Sequence, residues 1–273
     1  MTDEELRHVA NEVRKGTVVG VHAAKAGHPG GSLGIADILT YLYFEEMDVR
    51  PEDPRWEDRD RFVLSKGHCA PALYAVLAER GFFPKEDLKT LRHIGSHLQG
   101  HPNMNDTPGV DMSTGSLGQG VSAAVGMAIA AKHWGKSYRT YCILGDGEVE
   151  EGQVWEAAMY AGNHGLDNLC LLVDHNGLQI DGSIDEVNSA MPIADKFRAF
   201  KFHVIELDDG NDIDKVRAAY AEARATKGVP TCIVAETVKG KGVSYMENAV
   251  DWHGKAPNDE QFEQAMAELA KEA

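Results

Sequence analysis

Cysteine is scarce in this chain. Its 273 residues hold four, Cys69, Cys142, Cys170 and Cys232, widely spaced and without a CxxC pair. A disulfide scaffold is excluded, and the four read as buried thiols of a reduced, cytoplasmic protein. A catalytic cysteine is the lesser reading. Basic residues are also short: 27 Lys and Arg against 43 Asp and Glu leave a formal charge of −16. Such a surface repels a nucleic-acid backbone, so no nucleic-acid partner is expected. Long apolar runs are missing too, and a membrane span needs about 18 such residues. The uncharged stretch from Gly115 to Ala131 is diluted by Gly, Ser and Gln. The first residues, MTDEELRHVANEV, are acidic and carry no apolar leader core.

What is present is ordinary for a globular protein: 43% apolar and 26% charged residues, with no repeat, internal linker or low-complexity tract. The length suits a single domain over 1–273. Thr2 with Glu5 predicts a capping box, and the apolar spacing that follows predicts a helix over about 3–25. Gly27-His28-Pro29-Gly30-Gly31 predicts a break, and a second helix is expected over about 32–46. A polar loop over 48–60 precedes a short buried strand at 61–65 and a helix at 69–80. Residues 84–114 read as a long irregular segment, a type that is often functional.

The helix expected over 118–133 is dominated by Ala and Gly, which suits either tight internal packing or a subunit contact. Strands are then expected at 138–144, 168–173, 203–207 and 231–235, alternating with helices at 152–164, 190–200 and 213–226. That alternation indicates βαβ units, hence an α/β fold: a doubly wound, mainly parallel sheet with helices on both faces. An acidic helical tail is expected over 259–273.

Ligands of such sheets bind beyond the carboxyl ends of the strands. After the strand ending at Leu144 comes Gly145-Asp146-Gly147-Glu148. Glycines let backbone N–H groups approach an anion, and a following helix adds a favourable dipole. A carboxylate between them repels phosphate unless a divalent cation lies between the two. After Val173 comes Asp174-His175-Asn176-Gly177-Leu178, which can supply the Asn176 amide oxygen and the Leu178 carbonyl. Carboxylate, amide and carbonyl, with two phosphate oxygens and a water, complete the octahedral oxygen set of Mg²⁺. Each segment alone is an ordinary turn sequence. Their pairing at two strand ends, separated by the 27 residues from Glu148 to Asp174, leaves room for one crossover.

This arrangement resembles the thiamine-diphosphate signature, with His175-Asn176 where the general motif has an Asn pair; the cation-ligating second Asn is kept. The rest resembles the N-terminal half of transketolases. The matching segments are Gly27-His-Pro-Gly-Gly-Ser-Leu-Gly34, Asp60-Arg-Phe-Val-Leu-Ser-Lys-Gly-His68, Gly100-His101-Pro102, Gly115-Ser-Leu-Gly-Gln-Gly120, Lys239-Gly-Lys-Gly242 and Trp252-His253-Gly254. The similarity runs through nearly the whole chain in order, and the ordered set is specific where no single piece is.

The resemblance implies a thiamine-diphosphate-binding fold and the residue roles that follow. His28 and His253 would line the channel and handle protons on substrate hydroxyls, and His101 would contact the donor near the carbon attached to the cofactor, work that suits imidazole. His68, Lys239, His253 and the Gly147 N–H would contact the diphosphate, with Gly31 against it. Gly115, Ser116 and Leu117 would hold the ring portion through their backbone. Asp146, Asn176 and the Leu178 carbonyl would bind Mg²⁺, with Ca²⁺ or Mn²⁺ as substitutes. Glu151 would join a carboxylate network across a subunit contact, or is a plain acidic residue at a helix N-terminus. His8, His22, His93, His97, His133, His164 and His203 match no motif.

In the family a Glu from a second domain activates the cofactor ring. The pyrimidine-binding and C-terminal domains are expected on a separate chain, a C-terminal transketolase subunit. The implied assembly is α2β2, active only when assembled, with sugar phosphates as substrates in the pentose phosphate part of carbohydrate metabolism. The implied reaction moves a two-carbon ketol unit from a ketose phosphate to an aldose phosphate. The alternatives are a subunit of a 2-oxo acid dehydrogenase or of a deoxyxylulose-phosphate synthase, and a non-catalytic binding half-protein. The first lacks the GHPGG and HG segments in this order, the second differs near His101, and the third need not keep Asp146 and Asn176 together.

Overall fold

The computed structural model describes residues 1–271. Five parallel strands form its main sheet: β1 (Arg61–Leu64), β2 (Thr140–Gly145), β3 (Leu169–His175), β6 (His203–Leu207) and β7 (Thr231–Glu236), in the order β1-β2-β3-β7-β6. A two-stranded antiparallel ribbon, β4 (Leu178–Gln179) with β5 (Gly182–Ser183), follows β3. The helices are α1 (Asp3–Ala24), α2 (Pro29–Gly34), α3 (Ala36–Tyr41), α4 (Ala70–Arg80), α5 (Gln119–His133), α6 (Gly152–Asn163), α7 (Ile184–Val187), α8 (Ile193–Ala199), α9 (Ile213–Ala225) and α10 (Asp259–Leu269).

Successive side chains of a strand point to opposite faces, and here both faces are buried. On β3, Cys170 and Leu172 join the core shared with α1, α3, α4 and α9. Leu169, Leu171 and Val173 join the core shared with α5, α6 and α8. This explains why the strands read as continuous apolar runs rather than alternating ones. All four cysteines are free and buried, as expected. No helix among the described residues is long and apolar enough to cross a membrane.

The capping box at Thr2 forms as expected. The break at Gly27–Gly31 is shorter than expected. Pro29 opens α2 from its first turn, where a missing N–H costs nothing. Gly30 and Gly31 therefore lie inside a helix, because segments from elsewhere press on them. A Cβ on Gly30 would lie 2.9 Å from the Trp252 carbonyl, and one on Gly31 2.9 Å from Cys69 Sγ. The single helix expected over 32–46 is divided at Ile35 and ends in a π turn over Leu42–Glu46.

β3 runs two residues past Val173 because its ladder with β7 continues to His175 and Glu236. α8 starts at Ile193 rather than 190, with Pro192 at its N-cap; residues that precede proline disfavour helix. The tail helix covers Asp259–Leu269, capped by Asn258 and Gln261, and 272–273 lie outside the described residues.

Candidate active site

Four neighbouring strands deliver their carboxyl ends to one place. The segments that follow are Ser65–His68 after β1, Asp146–Glu148 after β2, Asn176–Leu178 after β3 and Thr237–Lys239 after β7. Asp146 is 2% exposed and ties two of them together. Its Oδ1 accepts the Gly147 N–H at 2.8 Å, and its Oδ2 accepts the N–H groups of Asn176 at 2.9 Å and Gly177 at 2.6 Å. Gly177 holds φ 74°, which a side chain disfavours, so the turn that aims both N–H groups at Asp146 needs glycine there. Burial raises the Asp146 carboxyl above its ordinary range, and the Asp174 charge adds to this. Asn176 Nδ2 donates to Asp174 at 2.8 Å while its Oδ1 accepts the Leu178 N–H at 3.2 Å. The Leu178 carbonyl accepts from Lys239 Nζ at 2.8 Å.

Asp146, Asn176 and Leu178 thus form one oxygen-rich corner. Its single carboxylate is bonded only by backbone N–H groups, and nitrogen or sulfur ligands are lacking. That donor chemistry fits a hard divalent cation. The Gly147 N–H, expected on a diphosphate, is directed here at Asp146.

A histidine wall lines the same cavity. His28 caps α2, His68 sits in a 3-10 turn over Gly67–Cys69, and His253 ends another over Val250–His253. Ring centroids lie 5.2 Å apart for His28 and His68, 5.5 Å for His28 and His253, and 5.2 Å for His68 and His253. Burial pushes His28 down to about 4, helped by the charges of His68 and Arg92. Burial, then Lys66 and Lys239, pushes His68 down to about 3. Burial, then Lys239 and the other two imidazoles, does the same to His253, to about 3. All three are neutral at neutral pH. The Nδ1 atoms of His28 and His253 are buried without a hydrogen-bond partner, which leaves them short of a polar group that a ligand could supply. Burial lowers the Lys239 ammonium too, as does the Lys66 charge.

His28, Gly31, His68, Gly115, Leu117, Asp146, Gly147, Asn176, Leu178, Lys239 and His253 all line one cavity of about 280 Å³. Two expected residues do not: Ser116 and His101 are exposed, on the approach to it. His101 lies against Gly115, where a Cβ would come within 3.0 Å of the ring at φ 147°. Glu151 caps α6, outside the cavity lining, with its Cβ 2.9 Å from where one on Gly118 would be.

Two buried polar centres at the cavity, which Lys66 and Glu148 line, carry no assignment from the sequence reading. The Lys66 ammonium pairs with Asp174, which also accepts from Thr237 Oγ1, and Lys66 reaches the Gly31 carbonyl at 3.3 Å. Burial opposes both charges, but each partner more than offsets it: Lys66 is held above its ordinary range and Asp174 below. Glu148 accepts from Ser65 Oγ, from the Gly118 N–H at 2.8 Å and from the Gly145 N–H at 3.1 Å. One carboxylate so fixes three site loops. The available signal was a charge directly after an apolar strand, in Ser65-Lys66 and in Val173-Asp174.

Residues 6–272 match the family model described as transketolase, thiamine diphosphate binding domain. The chain is 47% identical over 268 residues to the SqwG subunit of the 6-deoxy-6-sulfo-D-fructose transketolase of Clostridium sp. (strain MSTE9), covering 98% of this chain and 97% of that protein. It is 43% identical over 271 residues to a subunit of the apulose-4-phosphate transketolase of Phocaeicola vulgatus, covering 99% and 96%. Among solved structures, transketolase from Leishmania mexicana superposes with a TM-score of 0.93 at 38% identity. That match covers 99% of this chain and 41% of the Leishmania chain, so the present chain spans about two-fifths of a single-chain transketolase.

Proposed function

The chain belongs to the transketolase family, and from that premise we propose that it is the diphosphate-binding subunit of a two-polypeptide transketolase. The assembled enzyme moves a two-carbon ketol unit from a ketose phosphate to an aldose phosphate. The observation that carries this reading is the cavity itself. An oxygen corner made by Asp146, Asn176 and Leu178, with Lys239 Nζ 2.8 Å from the Leu178 carbonyl, shares it with His68 and His253. A cation-binding corner beside an ammonium and neutral imidazoles suits a metal-bridged diphosphate.

Asp146, Asn176 and the Leu178 carbonyl would hold Mg²⁺, or Ca²⁺ or Mn²⁺ in its place. Lys239, His68, His253 and Gly31 would hold the diphosphate, as would the Gly147 N–H once turned from Asp146 Oδ1, and the Gly115, Ser116 and Leu117 backbone the ring portion. Thiamine diphosphate, when bound, supplies the stabilisation of negative charge on carbon that amino-acid side chains lack. His28, His253 and His101 then accept and return protons of the sugar hydroxyls. Their basicity is low in the open cavity; an anion placed beside them favours the charged imidazole and moves it back toward the working range. Lys66 and Asp174 keep the strand ends in place.

The partner is proposed to be a separate C-terminal transketolase subunit, in an α2β2 assembly. Support comes from two relatives that are themselves named as subunits and are matched over 97% and 96% of their length. Residues 1–273 would act as one unit, and free, buried thiols suit a reducing cytoplasm.

The test is direct. The purified chain with thiamine diphosphate and Mg²⁺ shows no ketol transfer until the partner chain is added; full activity alone refutes the two-polypeptide reading. In the assembled enzyme Asp146→Ala lowers calorimetric cofactor affinity by about 100-fold, a loss in line with removing a metal ligand or its support. Undiminished affinity refutes the site.

A further inference from the structure

One buried hydroxyl holds the loop that carries His101. Tyr74 lies within α4 and is fully buried. Its Oη is 2.9 Å from the Gln99 carbonyl and 3.0 Å from the His101 carbonyl. A phenol has one proton to donate, so the two carbonyls share it in a three-centre bond. Burial raises the Tyr74 hydroxyl above its ordinary range, so it stays a donor. Among the described residues this is the only hydrogen bond that reaches His101. The imidazole is exposed on the approach to the cavity.

Other contacts fix the residues on either side of His101. The Arg92 guanidinium lies over Gly100, where a Cβ would stand 2.8 Å from Arg92 Cζ. The Pro102 carbonyl accepts the Thr114 N–H at 3.3 Å, and Thr114 Oγ1 donates to the Leu64 carbonyl, at the end of β1, at 2.7 Å. The His101 ring rests on Gly115, which has no Cβ to displace it. α4 follows directly on the 3-10 turn that bears His68. One buried helix therefore places two imidazoles, His68 ahead of its first turn and His101 through the Tyr74 hydroxyl. A surface loop is positioned by the scaffold that it is tied to, and Tyr74 is that tie for residues 99–101.

We propose that Tyr74 is a positioning residue for ketol transfer: its hydroxyl, by holding the His101 carbonyl, sets the imidazole where it meets the donor sugar. The inference rests on the ketol-transfer reading and on the part given there to His101. A displacement of about 1 Å in a group at the chemistry can cost on the order of 100-fold in rate, so one lost bond behind His101 is enough to be read.

The test uses this chain assembled with its partner chain and loaded with thiamine diphosphate and Mg²⁺, with fructose 6-phosphate and 6-deoxy-6-sulfofructose as donors. Tyr74→Phe removes the hydroxyl and keeps the ring that fills the core. It is expected to lower kcat/KM by about ten-fold or more, as loss of one hydrogen bond does. In a His101→Ala background the same change is expected to cost less than about two-fold, because residues that act through one another are not additive. A fall by the same factor in both backgrounds, or no such fall in the parent, overturns the proposal and leaves Tyr74 as a core residue. Should the parent assembly turn over neither donor, the ketol-transfer reading fails instead. The NMR signal of the His101 imidazole in the full chain, identified by its loss in His101→Ala, then decides on Tyr74. A signal shifted or broadened by Tyr74→Phe supports the assignment, and an unmoved one overturns it.

Discussion

Lys66 and Asp174 show how one buried pair holds a site that it does not itself line in full. Their side chains are 2% and 0% exposed, and Asp174 also receives Thr237 and Asn176. Removing one partner leaves an uncompensated buried charge, which costs about 3–5 kcal/mol. Asp174→Asn is therefore expected to lower the urea unfolding free energy by roughly that amount, and a change below about 1 kcal/mol would refute the account. The histidine wall makes a second prediction, about pH. Unfolded imidazoles protonate near 6.5, whereas His28 waits until about 4 and His68 and His253 until about 3. Between those values the unfolded chain binds more protons than the folded one. Stability from these groups is full above pH 6.5 and is lost as pH falls toward 3. Thermal scans across this range should show a shallower acid-side decline for His68→Gln than for the parent chain. Parallel profiles count against the assignment.

At the scale of elements, α5 carries two glycines of opposite character. A Cβ on Gly120 would lie 2.7 Å from Ser65 Cα, so the helix approaches the end of β1 as closely as a missing side chain allows. Gly120→Ala is expected to destabilise by about 1–3 kcal/mol, the usual cost of overpacking. Gly126 has nothing within 4 Å of its would-be Cβ. In the isolated chain Gly126→Ala should therefore stabilise by about 0.5–1 kcal/mol, through helix propensity alone. Denaturant midpoints of the two variants should move in opposite directions. The strands and the larger helices were legible because periodicity and burial agree there. The bounds of α2 were not, since the segment pressing on Gly30 comes from elsewhere in the chain, whereas Pro192 already marks the start of α8 in the sequence.

At the scale of the whole molecule, α6 leads away from the Asp146 loop with Met159 and Tyr160 on its outer face, 56% and 45% exposed. Two large apolar side chains together there, next to Phe200, suit a partner surface better than open water. The double variant Met159→Glu with Tyr160→Glu is expected to keep the chain folded, within about 0.5 kcal/mol as surface changes usually do. Its co-elution with the proposed partner chain should weaken at least ten-fold. Unchanged association would move the contact to another face.

The amino-acid order alone determined the parallel α/β architecture and the pairing of the Asp146 and Asn176 loops, because periodicity and turn chemistry are local and survive without neighbours. It also marked out Lys239 and the histidines, as motif segments. Only the tertiary structure decided that His28, His68 and His253 stand within ring contact of one another and lose their basicity. The same holds for Glu148, which spans three loops, and for Arg92 lying over Gly100. Distances between residues far apart in the chain, and the burial that sets their charge, arise only when separate strands and loops are packed side by side.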